Sequence, residues 1–230
     1  MRFRLSLLHG LVLTCAAGAT NGEELSREAF NGIWLIAEET PALRTLDGEV
    51  PPLLPEATAL YEEHQRRRAN GDTYFDRATW CAGVGLPRLL IANHPFEIMV
   101  DKRQIGFFFE WNRWVRLVDM SGTKLEPYYP TSLGTASGAW QDDGSLLIET
   151  TGLMKETIMD HAGLPHSDDL VMTETLRLID ADTLEIHMRF DDPLTFSAPW
   201  ETKVVYKRQH GARLKEDVCL DRIKQGLPPI

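Results

Sequence analysis

Three observations predict an all-β architecture, an antiparallel barrel or sandwich carrying one helix in its first half. Short runs rich in β-branched and aromatic residues recur from residue 88 onward, divided by tight turns. One stretch, Glu56–Ala69, has the composition and length of a clear helix. No internal repeat or low-complexity tract points to a solenoid, so the strands must bury their apolar faces against one another.

The elements follow in order. Arg2 and Arg4, the apolar run Leu5–Cys15 and the Ala17-Gly18-Ala19 site read as an export leader over residues 1–19, which leaves 20–230 as a single domain. A lipid anchor at Cys15 is the less fitting reading, because Thr14 stands where such signals carry a smaller residue. A turn at Asn31-Gly32 then leads into a strand over Ile33–Ile36. Leu43–Pro55 is a long proline-rich loop. Within the helix, acids come early and Arg66, Arg67 and Arg68 late, which complements its dipole, and Asn70-Gly71-Asp72 stops it. Leu89–Ala92 reads as a short strand, followed by Phe96–Val100, a turn at Asp101–Arg103, and Gln104–Phe109. Glu110–Val118 continues as an aromatic strand interrupted by charges. Asp143-Gly144 marks a hairpin ahead of Leu146–Glu149, and Asp180–Asp182 marks a second one between Leu170–Ile179 and Thr183–Phe190. Thr202–Arg208 is the last strand.

Composition limits the function classes. The 230 residues, 43% of them hydrophobic, suffice for one domain with a substantial core. The formal net charge is −10, and loss of Arg2 and Arg4 with the leader would take it to −12. Such a surface repels polyanions, so no nucleic-acid partner is expected. No run after the leader approaches the roughly 18 apolar residues of a membrane span. Two cysteines remain beyond the leader, Cys81 and Cys219, and an even pair in an exported chain predicts a disulfide. The rival reading is a pair of buried thiols.

Several motifs carry a resemblance. Gly32-x-Trp34 is similar to the Gly-x-Trp opening of lipocalins and other calycin barrels. The longer series runs FNGIW, PFEI, FFE, GAWQDDGSLLIETTGL, DHAGLPHSDDL, ETLRLIDADTLEI and a closing DP…PW. Together these resemble a widespread bacterial family of exported proteins of unknown function, over nearly the whole of residues 20–230. The resemblance implies a lipocalin-like β-barrel and a periplasmic or secreted location. It also implies an Asp-x-x-Gly-x-Pro-His-Ser pattern, kept here at Asp160, Gly163, Pro165, His166 and Ser167.

That turn is the first candidate site. His166 can take and return a proton near neutral pH, with Asp160 as its orienting carboxylate; the competing reading has the turn's polar side chains capping their own backbone. Asp160, His161 and His166 could also offer a metal one oxygen and two nitrogens. Their spacing lies in a loop rather than on a helix face, so no metal is expected. Strand parity supplies a second candidate, since it places Glu110, Asn112, Trp114 and Arg116 on one face. That face is the lining of a barrel cavity for an aromatic or carboxylated ligand if it points inward, and ordinary charged surface if it points outward. Glu149 and Glu174 form a third, either as an acid–base pair or with Glu174 or Glu149 bound to Arg116 or Arg177 in a structural pair. Tyr128, beside Tyr129 and two prolines, is a candidate clamp at the barrel mouth or a packed loop.

There is no Gly-x-Ser-x-Gly elbow and no cofactor fingerprint. The expectation is therefore cofactor-independent acid–base chemistry (a lyase, dehydratase, decarboxylase or isomerase) on a small apolar or aromatic compound. The alternatives are a carrier of a hydrophobic ligand, which needs an apolar cavity, and a structural envelope protein with a filled barrel.

Overall fold

The computed structural model describes residues 26–230; the expected leader and Cys15 lie outside the described residues. Nine strands close into a barrel in sequence order, and β9 returns to pair with β1. They are β1 (Gly32–Ile36), β2 (Phe96–Val100), β3 (Gln104–Phe109), β4 (Val115–Asp119), β5 (Thr135–Trp140), β6 (Leu146–Thr151), β7 (Val171–Asp180), β8 (Thr183–Asp191) and β9 (Trp200–Arg208). All neighbours are antiparallel except β4 and β5, which run parallel. The segment 120–134, with Pro127 and Pro130, carries the chain back to the end where β4 began. Helix α1 spans Pro55–Ala69.

Two expectations about elements are corrected. Leu89–Ile91 belongs to a short helix, α2 (Arg88–Ile91), rather than to a strand. All four of its residues are buried, and an apolar run without alternation does not distinguish the two conformations. Pro87 precedes it, a residue suited to a helix start. The Glu110–Val118 strand is likewise broken, because Asn112 and Arg113 take positive φ values of 53° and 54° and form a turn. Parity therefore does not run from Glu110 to Arg116.

Alternation does govern the strands that remain. Ile105, Phe107, Leu146, Ile148, Met172, Leu176, Ile186, Met188 and Phe190 point inward and are wholly removed from water-sized contact. Phe96 meets Phe107, Phe109 and Tyr206 at ring-centroid distances of 5.9, 5.5 and 5.2 Å. Side chains thus fill the barrel, as they do in small closed barrels. The Cys81–Cys219 disulfide ties the turn after the 3-10 segment Arg77–Trp80 to the start of α3 (Cys219–Lys224).

Candidate functional site

The inward polar residues form a sealed knot. Arg116 Nη1 donates to Glu174 Oε1 at 2.9 Å, and Nη2 donates to Glu174 Oε2 and, at 2.7 Å, to Thr150 Oγ1. Arg116 also lies over the Phe107 ring, its register partner on β3. Arg116, Glu174 and Thr150 are all buried, so the knot closes the barrel without offering a surface to a ligand. Of the two readings weighed for Glu149 and Glu174, this geometry is the structural pair, made by Glu174 with Arg116. Glu149, one register step away, faces outward and pairs with Lys124 at 2.7 Å. The two acids therefore do not meet.

The remaining members of the expected cavity lining are dispersed. Glu110 Oε2 accepts from the Lys215 backbone N–H at 2.8 Å. Asn112 bonds the Cys81 carbonyl and the Cys219 N–H, bracing the disulfide. Trp114 packs against the Gly83–Ser132 contact. Tyr128 is almost fully exposed on the 120–134 loop and touches Tyr129 edge to face.

Asp160 is a staple rather than a partner of His166. Its Oδ2 accepts from Leu43 N at 2.8 Å and its Oδ1 from Leu164 N at 3.0 Å, joining the proline-rich loop to the motif turn. Burial raises its pKa, against the lowering effect of those N–H groups. Gly163 has φ +95°, and a side chain there would lie 2.6 Å from His64 Cβ, so only glycine lets α1 dock on the turn. His64 Nδ1 donates to the Gly163 carbonyl at 2.7 Å.

His166 is held by different groups. Its Nδ1 lies 2.8 Å from the Ser167 carbonyl and its Nε2 lies 2.8 Å from Thr157 Oγ1. A carbonyl only accepts, so the proton of the neutral ring sits on Nδ1 and Nε2 accepts from the Thr157 hydroxyl. Burial lowers the His166 pKa and keeps the ring neutral at pH 7. Ser167 is fixed in turn by Asp192, which takes its N–H and its hydroxyl, each at 2.7 Å.

His166 and Thr157 line a cleft of about 500 Å³ on the outside of the barrel, between α1, the Arg77–Trp80 segment and the loop preceding β7. Its rim is cationic, with Arg67, Arg77 and Lys155 against Glu156. Tyr74 and Trp80, both exposed, stack there at 6.0 Å, and the Arg77 guanidinium covers Trp80 at 5.2 Å. Gly85 (φ +85°) packs against Thr157, where a Cβ would fall 2.5 Å from Thr157 Oγ1. Thr157, Arg77 and Trp80 were not legible as site residues, for Thr157 lies about 80 residues from the other two and none of them matches a motif.

Among the described residues, no three His, Cys, Asp or Glu side chains converge to hold a metal ion. No helix of the described residues is long and apolar enough to cross a membrane. A comparison with protein-family models finds no match for this chain, and a comparison with curated proteins finds none either.

Proposed function

We propose that the protein binds a small aromatic anion in the cleft beside α1 and moves a proton on it without a cofactor, as a lyase, dehydratase, decarboxylase or isomerase does. The reading rests on the Thr157–His166 contact. Thr157 Oγ1 lies 2.8 Å from His166 Nε2 and 2.9 Å from the Met154 carbonyl. With a neutral ring, the hydroxyl donates to Nε2. With a protonated ring, Nε2–H donates to Oγ1 and the hydroxyl turns to Met154. The His166 contacts with Ser167 and Thr157 are kept in both states, and the Met154 carbonyl keeps the Thr157 backbone N–H throughout, so His166 can accept a proton at the cost of burying its charge alone. Thr157 then relays between ring and substrate, and Ser167 does the orienting first expected of Asp160. Aromatic stacking on Tyr74 and Trp80 and ionic contact with Arg77 and Lys155 suit an aromatic carboxylate. Cofactor-free phenolic acid decarboxylases use a comparable barrel, an analogy of scaffold alone. Membership of the exported family and a periplasmic location belong to the same proposal; the Cys81–Cys219 disulfide supports an oxidising compartment.

A binder without catalysis is the second reading, favoured by the near-complete burial of His166 and Thr157. With the barrel interior filled, its ligand too would sit in the external cleft. The test titrates a hydroxycinnamic acid and its methyl ester into the protein while tryptophan emission and product formation are followed. The acid should quench emission more strongly than the ester, and Trp80→Phe should remove the quench. His166→Gln should cut turnover by about 10²–10⁴-fold with binding kept. Binding with no turnover by the wild type would leave the second reading, and no binding at millimolar acid would defeat both.

A further inference from the structure

A second cleft, of about 500 Å³, lies where the turn after α2, the loop before β7 and the C-terminal segment meet. Two histidines face it, His94 and His161. Each has a charged partner beside Nδ1. His161 Nδ1 lies 3.4 Å from Arg88 Nη2, and a guanidinium can only donate, so this nitrogen accepts and the ring proton sits on Nε2. Arg88 is itself buried and held by Asp76, which also takes Arg68, so the donor cannot swing away. His94 Nδ1 lies 3.5 Å from Asp217 Oδ2, and Arg222 fixes that carboxylate at 3.2 and 3.0 Å. A carboxylate favours the ring proton on Nδ1, which leaves the His94 Nε2 lone pair free. Among the described residues neither Nε2 has a hydrogen-bond partner, and neither is among the sealed polar atoms without one. Each Nε2 is therefore reachable from solvent, and both residues line the cleft. Burial lowers the pKa of both rings, that of His161 to about 4, so both are neutral at pH 7.

We infer that this cleft is a separate site for a small neutral hydroxycarbonyl compound, with His94 as the base toward the carbon bearing the hydroxyl and His161 as the hydrogen-bond donor to the carbonyl oxygen. In the forward step His94 Nε2 takes the proton from that carbon. The electron pair of the C–H bond becomes the C=C bond of an enediolate, and the carbonyl π pair moves to oxygen, where the His161 N–H stabilises it. The His94 imidazolium then returns a proton to carbon, so nothing is oxidised or reduced and no co-reactant is consumed. A neutral, uncharged donor suits an enediolate because it holds the oxygen without protonating it outright. A metal ion fits less well, because ligation through His161 Nε2 would drive its proton to Nδ1, against the Arg88 guanidinium.

Hydroxyacetone is the probe. Incubated with the full chain in D₂O, its hydroxymethyl protons should exchange for deuterium at least about tenfold faster than in buffer, a conservative share of what general-base catalysis supplies. His94→Gln should return exchange to the buffer rate, and His161→Gln should slow it while leaving some base-driven exchange. Nitrogen chemical shifts of the wild-type rings give a readout that needs no variant: His161 should carry its proton on Nε2, and hydroxyacetone should perturb Nε2 of both histidines. Saturating hydroxycinnamate, the ligand of the first cleft, should leave exchange unchanged, and competition between the two would merge the sites and overturn the assignment. Exchange at the buffer rate, or ring signals indifferent to hydroxyacetone, would also overturn it.

Discussion

Lowering the pH from 7 to 5 should destabilise the protein, and a defined part of that loss should vanish in His161→Gln. The cause is linkage. His161 has an ordinary pKa of 6.5 unfolded and about 4 folded, because burial disfavours its charged form and Arg88 repels it. The unfolded chain therefore binds the proton first as the pH falls. The neutral ring's contribution is intact above 6.5 and is lost between 6.5 and 4. Weighing both states at each pH gives a loss of about 2 kcal/mol between pH 7 and 5, rising to about 3 kcal/mol below pH 4. Urea unfolding of wild type and variant at the two pH values measures it. Burial also lowers the pKa of His64, His94 and His166, so the wild type should lose more than His161 alone supplies. Glutamine can still accept from Arg88 but cannot titrate, so the variant should lose about 2 kcal/mol less than wild type. Equal losses in the two proteins would refute both the Arg88–His161 contact and the tautomer assigned from it.

Glu174→Gln should cost about 3–5 kcal/mol in chemical unfolding, because it leaves the buried Arg116 guanidinium without a counter-charge. Glu149→Gln on the neighbouring strand should cost under about 1 kcal/mol, since the Lys124 pair it breaks is exposed. Reduction of Cys81–Cys219, or their joint replacement by serine, should lower stability by up to about 5 kcal/mol in the chain-entropy treatment, given a separation of 138 residues. A melting curve with and without reductant reads this, and hydroxycinnamate binding should weaken with it because Cys81 directly follows Trp80.

The local reading was good where one side of a strand faces the core and the other faces water. Alternation located β2, β3, β7, β8 and β9, and the Asp180–Asp182 hairpin fell where it was expected. It was poor where burial is complete or where a turn hides inside an aromatic run. Leu89–Ile91 is buried on every side and carries no period to read, and Trp111 and Trp114 masked the turn between them. The β5 strand, TASGAW, contains too many small residues to announce itself, and its parallel pairing with β4 depends on how a fifteen-residue connection travels.

What the sequence determined by itself was an all-β chain of antiparallel strands with one long helix, and the pairing of Cys81 with Cys219. These two follow from local composition and from elimination among few partners. Closure into a barrel came with the resemblance, and Glu174 was one of two acids that could meet an arginine. The tertiary structure alone decided that the barrel is packed and that both clefts lie outside it. It also made Asp160 a staple and assigned the orientation of His166 to Ser167, with Thr157 as its partner. The same holds for Arg88, which sets the His161 tautomer from 73 residues away. Hydrogen-bond partners chosen across such distances leave no periodicity behind, because their positions depend on how loops close around the barrel and not on the residues beside them.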